Sequence, residues 1–211
     1  MTKPIRAARR AMAVAAISAL LVGCISVFPK EAPAQLYRFG DTAPERANAV
    51  GAAQARFTVR IVPTSFDRAA VGDRILTTTG DQAAYIKGAR WLTPAGSMFE
   101  EAVVRAFDAD GGSARLLAPG EAAHIDYVLK LDVRTFEARY GGDPKAAPTV
   151  VVEIYAAISR AADRDAVSER LFETRAPASD NRVGAIAGAF DQAVGKGLGE
   201  LVAWVDAKGA S

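Results

Sequence analysis

Two long apolar/polar alternations joined by a glycine and proline turn constrain this fold more than any other feature. Ile125, Tyr127, Leu129, Leu131 and Val133 alternate with His124, Asp126, Lys130, Asp132 and Arg134. After Gly141-Gly142-Asp143-Pro144, the residues Val150, Val152, Ile154, Ala156 and Ile158 take up the same period. Successive side chains of a strand point to opposite faces, so this pattern predicts two strands with one buried and one wetted face. The turn residues between them predict a long antiparallel hairpin. Its first arm continues to Tyr140, with a slip of phase near Thr135-Phe136 that one extra residue in a β-bulge would restore.

The flanking segments complete a sheet and supply its cover. Leu36-Tyr37-Arg38-Phe39 reads as a short first strand, 40–55 as a loop, and Phe57, Val59 and Ile61 as alternate residues of a strand ended by Pro63. Arg74 to Thr79 and Ala83 to Lys87 flank Gly80-Asp81-Gln82, which predicts a hairpin. Val167 to Thr174 is a further strand whose phase is blurred by the adjacent Leu171 and Phe172. A first helix is expected to open at Trp91-Leu92-Thr93-Pro94, with Thr93 as N-cap and Pro94 at the first helical position. Phe99, Val103, Ala106 and Phe107 form its apolar face, and Gly111-Gly112 ends it. Val183, Ile186, Phe190, Val194, Leu198, Leu201 and Val205 form the stripe of a second helix. Gly184, Gly188, Gly195, Gly197 and Gly199 each cost about 1 kcal/mol relative to alanine there, so close approach to a sheet or a partner is expected to offset them. The expected fold is a single α+β domain: a mainly antiparallel or mixed sheet with two long helices packed on one face.

The N-terminus sets the compartment. Lys3, Arg6, Arg9 and Arg10 precede an apolar run from Ala11 to Val22, too short for the roughly 20 residues of a spanning helix, and small Gly23 stands before the chain's single cysteine, Cys24. This is the order of a secretory signal, and Leu21-Val22-Gly23-Cys24 resembles the bacterial lipobox, whose cysteine is acylated and becomes the mature N-terminus. The expected organisation is a signal peptide at 1–23, a lipidated tether at 24–35 and a domain at 36–207. Ile25 stands where enterobacterial lipoproteins retained in the inner membrane carry aspartate, so the expected location is the periplasmic face of the outer membrane. Removing residues 1–23 takes four positive charges and no negative ones, turning the net charge of +2 into −2. No basic cluster remains in the mature domain to neutralise phosphates, which argues against nucleic acid as a partner. With its cysteine committed to an anchor, the domain has no disulfide and must rest on packing.

The inventory for catalysis is thin. One histidine, His124, and one acylated cysteine cannot build a His/Cys metal site, and no D-x-D-x-D-G loop suggests a carboxylate one. No G-x-S-x-G surrounds any serine, and His124 is expected on the polar side of a strand start. Gly195-Lys196-Gly197 lacks the first glycine and the final Ser/Thr of a phosphate loop, and so reads as a helix packing surface. Asp163, Asp165 and Glu169, interleaved with Arg160, Arg164 and Arg170, read as a solvated turn. No enzyme activity, cofactor or metal is expected.

The lipobox, Tyr37-Arg38-Phe39, Phe66-Asp67-Arg68, Tyr85 and Arg90-Trp91-Leu92-Thr93-Pro94 together resemble the ABC-type transport auxiliary lipoproteins, over roughly Leu36 to Val205. The family often follows that proline with a second, where this chain has Ala95, and this chain reads Thr77-Thr78-Thr79 in place of a Tyr-Arg strand ending. The resemblance implies a nonenzymatic accessory that docks the periplasmic MCE component of an ABC transporter during movement of phospholipid or another hydrophobic substrate between membranes. The ATPase and permease would be separate chains, and homo-oligomer rings are compatible with such auxiliaries. It offers Asp67, Arg68, Tyr85 and Arg90 as docking residues, with Trp91 either a core plug or a contact, and Asp67-Arg68 equally readable as a local turn pair. A second reading is an interaction module that supports envelope assembly or activates a cell-wall synthase.

Overall fold

The computed structural model describes residues 33–41, 56–143 and 145–209. Cys24, the signal segment, nearly all of the tether and the expected loop at 42–55 lie outside the described residues. From the N-terminus the elements are β1 (Gln35–Tyr37), β2 (Phe57–Ile61), β3 (Ser65–Phe66), β4 (Arg74–Thr79), β5 (Gln82–Trp91) and α1 (Ala95–Asp110). There follow β6 (Ala114–Leu116), β7 (Tyr127–Tyr140), β8 (Thr149–Arg160), β9 (Ala166–Pro177) and α2 (Val183–Gly209).

Strand β7 is the spine of one mixed sheet. Along one edge it pairs antiparallel with β8, which pairs antiparallel with β9. Along its other edge three short strands follow one another, each parallel to it: β2 at Tyr127 to Leu129, β3 at Asp132 and Val133, and β4 at Ala138 to Tyr140. Beyond these, β5 is antiparallel to β4, β1 is parallel to β5 and β6 is parallel to β2. The expected α+β class with both helices on one face is what the chain adopts, with the sheet mixed.

The phase slip in β7 is a bulge, because its register against β8 shifts between Val133 and Thr135. Leu129, Leu131 and Val133 are fully buried before it, and Phe136 and Ala138 after it. One extra residue therefore turns an odd-numbered inward face into an even-numbered one without leaving the sheet. The consequence is the seat of Phe136, whose ring lies 5.1 Å from Phe39, 5.3 Å from Phe66, 4.8 Å from Phe190 and 6.4 Å from Trp91 between centroids. Phe66 in turn meets Phe99 of α1 edge-on at 5.8 Å, and Trp91 meets Phe190 of α2 at 5.1 Å. This ring cluster joins three strands, the second residue after β1 and both helices, through edge-on and tilted contacts of the kind that aromatic quadrupoles favour over face-to-face stacking.

Three local expectations are corrected. Trp91 ends β5 instead of opening a helix, and α1 starts at Ala95 with Pro94 at the N-cap position and no side-chain cap. Thr93 is not needed there, since the backbone carbonyls of Gly72 and Val71 accept the orphan N–H groups of Ala95 and Gly96 at 3.0 and 3.2 Å. β7 begins at Tyr127, two residues after Ile125, because the Asp126 carboxylate is drawn to the backbone N–H (2.7 Å) and hydroxyl (2.9 Å) of Thr58. Of the glycines of α2, Gly197 does meet the sheet: a Cβ there would lie 3.3 Å from Ile154 Cδ1 and 3.5 Å from Thr174. Gly184, Gly188 and Gly199 have open space at the same point, so contact with the sheet offsets the helical cost of Gly197 and of none of these three. Thr174, nearly fully buried beneath that crossing, donates its hydroxyl to the Ala193 carbonyl at 2.9 Å and ties helix to strand.

A pair of carboxyl groups closes the far end of the helical layer. Asp206 of α2 accepts the Ala114 N–H of β6 at 2.7 Å and lies against Asp110 at the end of α1. A Cβ at Gly112 would overlap both carboxyl groups, so a larger residue there would have to displace them. Burial, followed by a hydrogen bond and charge repulsion from Asp110, raises the Asp206 carboxyl above its usual range, outweighing the Ala114 N–H that favours the anion.

Truncating the central ring, Phe136→Ala, is expected to cost about 3–5 kcal/mol, read from denaturant midpoints at unchanged m-value. Because Asp206 holds its proton more tightly folded than unfolded, its contribution to stability declines as pH rises from about 3.9, the unfolded value, to the raised native value, and is flat above it. Asp206→Asn keeps an acceptor for Ala114 and a donor for Asp110 without titrating. Relative to the parent, it is expected to melt higher at pH 8 and to lose that difference towards pH 4.

Candidate docking surface

The four residues singled out for docking gather on one turn and its supports. β3 ends at Phe66, and the Asp67 N–H donates to the Val133 carbonyl of β7 at 2.8 Å, fixing where the chain leaves the sheet. Asp67 then folds the turn. Its carboxylate accepts the Ala69 N–H at 3.2 Å, and its carbonyl accepts those of Ala70 and Val71 at 3.0 and 2.9 Å. The Tyr85 hydroxyl donates to the Ala69 carbonyl at 3.0 Å while the Arg74 guanidinium lies 3.7 Å over the Tyr85 ring. Arg90 reaches both carboxylate oxygens of Asp73 at 3.0 and 2.8 Å. The Trp91 N–H donates to the Asp73 carbonyl at 2.7 Å, and the Trp91 ring is buried in the core.

These contacts divide the four by task. Asp67, Tyr85 and Arg90 are engaged in shaping the turn. Arg68, at its exposed tip, has no partner among the described residues. Nearby in the turn, Val71 is 39% exposed and borders a hollow of about 200 Å³ whose other lining residues are Thr64, Phe66, Pro94, Gly96, Ser97 and Glu100. An uncommitted guanidinium three residues before Val71, which borders a small hollow of mixed polarity, can recognise an acidic or carbonyl-bearing side chain with an apolar neighbour.

The sequence patterns missed the clamp that holds the N-terminal end of the domain. Gly40 has a φ of +85° and lies so close to α1 that a Cβ would strike that of Ala102. The Asp191 carboxylate of α2 accepts the N–H groups of Gly40 and Asp41 at 2.6 and 3.0 Å, and Arg105 of α1 donates to the Gly40 carbonyl at 3.2 Å. The partners are about 150 positions apart, so no local pattern signals them.

A second, open hollow of about 600 Å³ lies by the end of α2, lined by Phe57, His124, Asp126, Tyr127, Arg160 and Gly209 among others. His124, as expected, sits just before a strand on the wetted side, its side chain 86% exposed and its Nε2 3.3 Å from Asp126. Asp126 is held below the usual carboxylate range, first by the Thr58 N–H. The neighbouring Thr58 hydroxyl is committed to the His124 carbonyl and to Asp126. Among the described residues no three His, Cys, Asp or Glu side chains are placed to hold a metal ion, and no helix is long and apolar enough to cross a membrane.

Comparison with known proteins gives this arrangement a family. Among solved structures, a protein from Xanthomonas campestris assigned to the DUF330 family is 28% identical and superposes with a TM-score of 0.68, covering 84% of this chain and 97% of its own. An uncharacterised protein (11% identical, TM-score 0.63, 82% and 99% covered) and a hypothetical protein from Chlamydia trachomatis (8%, 0.52, 74% and 98%) share the fold. No curated protein matches the chain. The family model described as the ABC-type transport auxiliary lipoprotein component matches residues 37–201, spanning β1 to the middle of α2, and the chain belongs to that family.

Proposed function

We propose that this lipoprotein is the outer-membrane-anchored, periplasmic auxiliary subunit of an MCE-type ABC transport system, and that it works by docking the periplasmic MCE component. Family membership over residues 37–201 carries the reading, and the Asp67 to Asp73 turn supplies a surface for it. Acyl chains on Cys24 give roughly 0.8 kcal/mol per buried CH₂, enough for stable attachment when two or three are present. Ten extended residues reach at most roughly 35 Å, so the tether keeps the domain near its bilayer. Arg68 and Val71 make the contact, and Asp67, Tyr85 and Arg90 hold the turn in the shape that presents them. Arginine suits such a contact because its planar guanidinium pairs with carboxylates at two points. The substrate is a phospholipid or another hydrophobic molecule carried by the partner; the domain performs no chemistry on it.

Purification of the detergent-solubilised, lipidated chain followed by mass spectrometry is expected to recover an MCE-domain protein. Arg68→Glu should lower that recovery about tenfold, the effect of losing roughly 1.4 kcal/mol of contact, at an unchanged melting temperature. Asp67→Ala should instead lower the melting temperature, by removing the acceptor for Ala69. A preparation free of any MCE-domain protein would refute the docking role. In cell fractionation, Cys24→Ser should move the protein from the membrane to the soluble fraction; unchanged membrane association would refute the anchor.

A further inference from the structure

The sheet outlasts the helix that covers it, and its uncovered end differs in chemistry from the rest of the core. Along β8 the inward stripe Val150, Val152, Ile154, Ala156 and Ile158 is fully buried. The next inward position is Arg160, directly opposite Tyr127 of β7 and therefore on the same face as the Tyr127 ring. An arginine can end this core stripe because α2 stops short of it. Gly209, the last residue of the helix, lies so close to the Phe57 ring that a Cβ would overlap it, and its carbonyl is 3.4 Å from the Tyr127 hydroxyl. Arg160 lies past that point and is exposed.

The open hollow of about 600 Å³ at the end of α2 is the result. It is bordered by the edge-on pair Phe57 and Tyr127, 5.4 Å between ring centroids, and by Arg160. Small-molecule sites have this size and makeup: about 300–1,000 Å³, mostly apolar and aromatic, with a few polar groups that fix orientation.

The charge on Arg160 is unanswered within the fold. Its side chain has no hydrogen bond or ion pair among the described residues. Unpaired surface cations are common, but this one stands on the inward face beside two aromatic rings. Asp126 is the one carboxylate bordering the hollow, and it is engaged elsewhere. One of its oxygens accepts the Thr58 N–H and hydroxyl at 2.7 and 2.9 Å, and the other lies 3.3 Å from His124 Nε2. Thr58 is on the outward face of β2, since its neighbours Phe57 and Val59 are buried. The Asp126 charge is thus drawn to the side of the sheet away from Arg160. A planar guanidinium pairs at two points with a carboxylate or a phosphate, and the rings beside it favour an apolar group next to that anion. Because the hollow is open, it fits the head and adjoining carbons of such a molecule without enclosing its tail.

We infer that the hollow at the end of α2 binds an anionic amphiphile, a carboxylate or phosphate on an apolar chain, with the head on Arg160 and the first carbons against Phe57 and Tyr127. The inference does not rest on the transport reading, and Arg68 and its turn play no part in it. Isothermal titration of the full lipidated chain in nonionic detergent, with detergent alone as the blank, is expected to show saturable binding of both octanoate and octyl phosphate. Octylammonium, with the opposite charge, and inorganic phosphate, without the chain, should bind about tenfold more weakly or worse. Arg160→Gln should weaken both anions about tenfold, the effect of losing a charged hydrogen bond, while Lys130→Gln, on the outward face of β7, should leave binding unchanged. Arg160→Glu should turn the preference to octylammonium. The tighter of the two anions assigns the head as carboxylate or phosphate. Absence of saturable binding, equal binding of octylammonium, or an Arg160→Gln variant that melts lower yet binds as the parent does would overturn the assignment, the last by giving Arg160 to the carbonyl end of α2 instead.

Discussion

The bulge between Val133 and Thr135 is the constraint on which the rest of the domain depends. β7 has to serve two sets of neighbours, β2 and β3 over its first half and β4 over its second, while β8 follows it throughout. A strand of unbroken period two would carry Phe136 to the wetted face, leaving Phe39, Phe66, Trp91 and Phe190 around a void. One unpaired residue rotates the second half so that the phenylalanine ring of β7 enters the core. Because both helices reach this ring cluster, the way the sheet is covered follows from a single irregularity in its ladder.

Much of this was legible in the amino-acid order. The long hairpin, its bulge, the β4–β5 hairpin, the glycine stop of α1 and the stripe of α2 are local periodicities, and local periodicity survives folding. What could not be read are interactions between distant segments. Thr93 has the chemistry of a cap, but a turn some twenty residues upstream had already supplied the carbonyls. Parallel pairing of β2, β3 and β4 with β7 leaves no turn signature, since parallel neighbours are joined by long crossovers. The mixed character of the sheet was therefore open until the registers were seen. The glycines of α2 show the same limit: composition marks them alike, and only the crossing at Ile154 and Thr174 separates Gly197 from the rest.

The residues proposed for docking illustrate how one turn can combine two jobs. Asp67, Tyr85 and Arg90 were legible as a recurring constellation, but not as the parts of one turn. That turn terminates β3, caps α1 through Val71 and Gly72, and presents Arg68. A surface whose backbone is held this firmly loses little conformational freedom on meeting a partner, which favours recognition by few contacts. The same rigidity explains why three of the four side chains are already spent inside the molecule.

The clamp at Gly40 bears on mechanics. Under the proposed anchor at Cys24, a pull between bilayer and domain would enter the described fold ahead of β1. β1 lies parallel to β5, and force along its axis is shared across the ladder in shear instead of opening it bond by bond. Immediately behind it, the Asp191 carboxylate grips two successive backbone N–H groups from the longest helix. Strain that passed the strand would thereby be handed to α2 and to the middle of the core, so such an anchor would be hard to unzip from the fold.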